Sequence, residues 1–95
     1  MHASVNTYRV MDGDALVHKI QDELVDRVKE IEGFIGYFVI DGADGTVIAI
    51  TLGETQEMVD TSGSRAQDWV VQRAAHLIEG APDMTAGEVR VHAGR

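Results

Sequence analysis

The chain predicts an α+β domain in the order β-α-β-β-α-β, with a four-stranded antiparallel sheet. Three observations carry the prediction. Two segments repeat apolar residues every three or four positions, the period of an amphipathic helix. Two more flank the turn-forming run Asp41-Gly42-Ala43-Asp44-Gly45, as the arms of a hairpin do. Short β-favouring segments stand near the two ends of the chain.

Val5 to Met11 reads as the first strand, with Tyr8 and Val10 among its strand-favouring residues. Asp12-Gly13-Asp14 makes a turn, and Asp14 is the expected cap of the next helix. That helix runs from about Ala15 to Glu32. Leu16, Ile20, Leu24, Val28 and Ile31 share one face, while His18, Asp22, Asp26 and Lys29 share the other. Gly33 stands where a helix-ending glycine belongs. Phe34 to Ile40 and Thr46 to Leu52 are the hairpin strands.

The second helix is expected from Thr55 to Glu79, with Met58, Ser62, Ala66, Val70, Ala74 and Leu77 facing inward. Gly63 lies inside it, and Ser64-Arg65-Ala66-Gln67 matches a capping box that restarts a helix. A kink or break at Gly63 is therefore predicted. Gly80-Ala81-Pro82 ends the helix, and Glu88 to Ala93 forms a short last strand.

The hairpin strands are apolar on both faces, which an antiparallel sheet with one wet face is not. Two helices cover one face only. The second face is expected to be covered by the same face of another copy, so the chain predicts a homodimer.

Composition limits the function. Ninety-five residues make one domain, 1–95, with a thin core. A net charge of −8 repels phosphate backbones and anionic lipid, so neither nucleic acid nor membrane is an expected partner. There are no cysteines, hence no disulfide, thiolate metal site or cysteine nucleophile. No apolar run reaches membrane-spanning length, and the N-terminus lacks a secretion signal, so a cytoplasmic setting is expected.

Ile31-Glu32-Gly33-Phe34-Ile35-Gly36-Tyr37, after an amphipathic helix and before a hairpin, resembles the antibiotic biosynthesis monooxygenase-like superfamily. The resemblance runs from Tyr8-Arg9-Val10 through Val89-Arg90-Val91-His92. It implies a ferredoxin-like fold paired into a dimeric α/β barrel. Because the superfamily spans cofactor-independent oxygenases, haem-degrading enzymes, isomerases and proteins without assigned roles, it fixes fold rather than chemistry. What it implies here is a cofactor-independent monooxygenase or isomerase acting on a small aromatic or polyketide-like molecule, with no cofactor. The alternative is a non-enzymatic module of the same fold that binds a small ligand or a partner. The haem-degrading members carry an Asn on the first strand and a Trp and a His on the second helix. Asn6, Trp69 and His76 echo that set. Counted along the helix, however, the family's Trp falls near Ser62, and haem degradation is not expected.

Trp69, Arg73 and His76 share one helical edge. An aromatic wall, a cation and an imidazole together suit an aromatic or enolic substrate, so the three are expected to border the principal pocket. His76 or Tyr37 would be the base and Arg73 the anion stabiliser. Trp69, Asn6, Tyr8 and His92 are the expected ligand contacts. His2, His18, His76 and His92 are scattered, so no metal site is expected. The aspartate-glycine runs lack a closing glutamate at calcium-loop spacing and read as turns.

Overall fold

The structure, a computed structural model, describes residues 1–94. Its first element is β1 (His2–Val10), three residues longer at the start than the sequence suggests. The first helical unit follows as α1 (Gly13–Lys19), a π turn over Ile20–Leu24, and α2 (Val25–Lys29). Its cap is Asp12 rather than Asp14: the helix begins at Gly13, and Asp12 Oδ1 accepts from the Ala15 N–H at 3.1 Å. Gly33 ends the unit with φ +91°, the left-handed conformation that glycine tolerates.

The hairpin is β2 (Phe34–Asp41) and β3 (Thr46–Gly53). Its turn is held locally: Asp41 Oδ1 accepts from the Ala43 N–H and Asp44 Oδ1 from the Thr46 N–H, both at 3.1 Å. The second helical unit comprises α3 (Gln56–Trp69), a π turn over Val70–Ala74, and a 3-10 turn over Ala75–Leu77. Thr55 caps it, its Oγ1 accepting from the Met58 N–H at 3.1 Å.

Two expectations are corrected here. Gly63 lies inside an unbroken α3, so the predicted break is absent and the Ser64 capping box is unused. The last strand is β4 (Ile78–Glu88), and the expected Glu88–Ala93 segment is irregular after its first residue. Pro82 is tolerated within β4 because β4 is an edge strand, paired only to β1, and is bulged at that point.

The irregularity of both helices lies instead in their π turns, which the apolar spacing explains. In an α-helix a four-residue step overshoots a full turn by about 40°. Leu16, Ile20, Leu24 and Val28 take three such steps, and Met58, Ser62, Ala66, Val70 and Ala74 take four. A π turn absorbs the overshoot and keeps each stripe on the core. All nine of these residues are buried.

The sheet order is β2-β3-β1-β4, antiparallel throughout. Both helical units lie on one face, over Ser4, Asn6, Tyr8 and Val10 of β1 and Val47, Ala49 and Thr51 of β3. The opposite face carries Val5, Ile48, Ile50 and Leu52. Beside them Phe38 and Ile40 are 54% and 48% exposed. Register aligns Phe38, Ile50 and Val5 in one row and Ile40, Ile48 and Thr7 in the next. The described residues leave this apolar face uncovered.

Candidate functional site

The site is a groove of about 320 Å³ between β1, β4 and the second helical unit. Its opening has a cause in the backbone. Between Thr7↔Asp83 and Arg9↔Glu79, β4 advances four residues while β1 advances two. Three residues, Gly80-Ala81-Pro82, thus stand opposite the single residue Tyr8, bulge away and form one wall. The π turn supplies the other, through Val70 and Val71. Gly63 and Met84 narrow one end, and Gln67 joins them at the rim.

The floor is β1. Asn6 and Tyr8 point to the helix side and line the groove. Asn6 is 6% exposed, yet its Oδ1 has no hydrogen-bond partner among the described residues. Ser4 Oγ and His2 Nδ1 are likewise unpartnered, which gives β1 a row of unmet polar atoms at alternate positions. Burial pushes the Tyr8 hydroxyl above the ordinary tyrosine range, and a hydrogen bond from the Asn6 side chain opposes part of that rise. Tyr8 therefore stays protonated at neutral pH and serves as a donor.

Of the residues singled out from the sequence, the structure brings Asn6 and Tyr8 together and leaves the others elsewhere. Trp69, Arg73 and His76 do not border the groove, which corrects that expectation. Trp69 is 1% exposed and packs in the core, its Nε1–H donating to Glu23 Oε1 at 3.3 Å. Arg73 Nε donates to the same oxygen at 3.0 Å. The shared helical edge thus faces the first helical unit, clasped by Glu23. Lys19 Nζ holds the other Glu23 oxygen at 3.0 Å, and this set of donors, Lys19 foremost, lowers the Glu23 pKa to about 2. His76 sits exposed in the 3-10 turn. Tyr37 is packed against the core, its hydroxyl pushed strongly up by burial and further by nearby Tyr8. His92 is exposed beyond β4.

Sequence reasoning missed Gln67, Val71, Met84 and the Gly80-Ala81-Pro82 bulge. A proline within reach of strand-forming residues was the available signal, because bulges accommodate it. A second cleft, of about 340 Å³, lies at the N-terminal end of α3 beside Glu32, Glu54 and Glu57. None of its polar side chains is buried, so it offers no unmet polar group.

No protein-family model matches the sequence, and no curated protein sequence matches it. Solved structures do. The ActVA-Orf6 monooxygenase of Streptomyces coelicolor, crystallised with nanaomycin D, superposes with a TM-score of 0.79 at 17% identity, covering 99% of this chain and 91% of that one. SnoaB, a cofactor-independent oxygenase from Streptomyces nogalater, gives 0.76 at 11% identity over 99% and 97%. The chain has the antibiotic biosynthesis monooxygenase fold. MhuD, solved with two manganese protoporphyrin IX molecules per active site, shares it at a TM-score of 0.73 and 17% identity over the full length of both chains. At such identities the likeness is one of fold. Within this monooxygenase fold none of the chain's four histidines lines the groove, so the residues present do not offer a haem iron an imidazole ligand there.

Proposed function

We propose that the groove binds a small, flat aromatic or polyketide-like molecule and that the protein oxygenates it without a cofactor. The observation that carries this is Asn6 Oδ1: buried, unpartnered among the described residues and placed beside a protonated Tyr8 in a largely apolar groove. An acceptor kept unpaired under largely apolar walls is suited to a ligand hydroxyl. If the substrate is an anthrone or a related phenol, its ring CH2 gives up a proton to solvent, since no groove side chain titrates near neutrality, and leaves a carbanion stabilised by its own ring system. The Tyr8 O–H donates to the oxygen on which that charge accumulates, and Asn6 Oδ1 accepts from a hydroxyl of the substrate. Dioxygen then adds to the carbanion, the peroxide anion takes a proton back from solvent, and loss of water from the hydroperoxide turns the ring CH2 into C=O.

The experiment is oxygen uptake with a hydroxylated anthrone. Catalysis is expected, with Asn6→Ala and Tyr8→Phe each lowering kcat/KM at least about tenfold, the scale of one lost transition-state hydrogen bond. A specific observation favours a second reading, that of a non-enzymatic ligand binder. Among the described residues lining the groove, no side chain titrates near neutrality. Saturable binding without oxygen uptake would select it.

The uncovered sheet face supports a homodimer. Phe38, Ile40, Ile48, Ile50, Leu52 and Val5 make a continuous apolar surface whose simplest cover is the same surface of a second copy. No helix of the described residues is long and apolar enough to cross a membrane.

A further inference from the structure

The groove does not end at Met84. A second compartment of about 230 Å³ continues along the same face of β1, sharing Gly63, Gln67 and Met84 with the first. Ser4 lines it. Ser4 is 2% exposed, and its hydroxyl has no partner among the described residues. The neighbouring hydroxyls of Thr51, its register partner, and Ser62 satisfy each other at 3.0 Å. Ser4 therefore finds no partner in that pair, and its unmet hydroxyl stands beside the second compartment as Asn6 Oδ1 stands beside the first. Ser4 and Asn6 stand two residues apart on one strand face, which spaces their polar atoms by about 7 Å. Gly63 keeps the passage between the compartments open: a Cβ there would lie 3.5 Å from Met84 Sδ, across the waist.

We propose that the two compartments form one channel for an elongated, flat molecule with two oxygen functions on the same edge, about 7 Å apart. The first, a hydroxyl, donates to Asn6 Oδ1, and the second is held by the Ser4 hydroxyl. This rests on the reading of the groove as a ligand site and adds the substrate class. Burying either polar group without a partner is unfavourable, and a ligand that meets both demands at once recovers both penalties. Selectivity for a second oxygen is large where a site is built to hydrogen-bond it, because the analogue lacking it leaves the protein group unpaired.

The probes are 2-naphthol and 2,7-dihydroxynaphthalene, whose second hydroxyl lies on the same edge at matching spacing. Both are titrated by their own fluorescence into the full chain. The diol is expected to bind at least about fivefold tighter, the yield of one further buried hydrogen bond. Ser4→Ala is expected to bring the diol down to the affinity of the mono-ol, with thermal melting confirming that the variant is folded. Equal binding of the two probes by the unmodified chain overturns the two-point channel but leaves the groove standing as a ligand site; that comparison needs no variant. A diol preference that survives in Ser4→Ala also overturns it. Binding of neither probe at millimolar concentration removes the ligand site itself, and the channel with it.

Discussion

Replacing Gly63 by alanine tests the helix, the groove and their conflict of interest in one step. Gly63 sits inside α3 and is not among the residues with positive φ. Alanine there avoids the backbone entropy that glycine loses on folding, a gain of about 0.5–1 kcal/mol. The added methyl meets Met84 Sδ at 3.5 Å and Met84 Cε at 3.8 Å, ordinary van der Waals distances, at a buried position. Burying one methyl contributes up to about 0.8 kcal/mol more. Together these give a stabilisation of about 0.5–1.8 kcal/mol, or roughly 2–14 °C in melting temperature for a domain of this size. Urea unfolding followed by the fluorescence of Trp69, the sole tryptophan, measures it. Protein concentration must be held fixed, since association adds to apparent stability. The midpoint should rise with an unchanged slope. The same methyl narrows the waist shared by the two compartments, so affinity for naphthol probes should fall while stability rises. A lower urea midpoint would refute the reasoning, because alanine destabilises there only if the helix is strained or the Met84 side chain cannot yield.

Ile50→Lys places a charge in the centre of the apolar row Phe38–Ile50–Val5. Light scattering should give twice the chain mass of 10.3 kDa for the unmodified protein and one chain mass, or unfolded material, for the variant; an unmodified monomer at micromolar concentration would defeat the dimer. Glu23 makes stability depend on pH in acid. Its folded pKa, about 2, lies below its ordinary value of 4.5, so its contribution is fully present above pH 4.5 and is lost as pH falls towards 2. Glu23→Gln should flatten stability across that window, and a variant with the unmodified pH profile would show that the clasp of Lys19, Trp69 and Arg73 contributes nothing.

Periodicity by itself determines much of this protein. The stripes from Leu16 to Ile31 and from Met58 to Leu77, the helix stop at Gly33, the hairpin at Asp41–Gly45 and the uncovered sheet face all follow from local rules. Those rules act within a turn or two of chain, where sequence neighbours are spatial neighbours. The four-residue spacings even contained the π turns, although reading them requires following helical phase rather than counting matches. Asn6 and Tyr8 were legible as polar residues on a strand, without any sign that they share a groove.

Tertiary structure decided the rest, because it turned on partners far away in the chain. Trp69 and Arg73 face Glu23, which stands 46 and 50 residues earlier, and that pairing withdraws them from the groove. Pro82 lies in a strand because β4 is an edge whose lost N–H costs no ladder on its outer side. The groove exists because β4 spends two more residues than β1 across one stretch of their pairing. A register difference between two strands belongs to neither segment alone, so no local pattern encodes it.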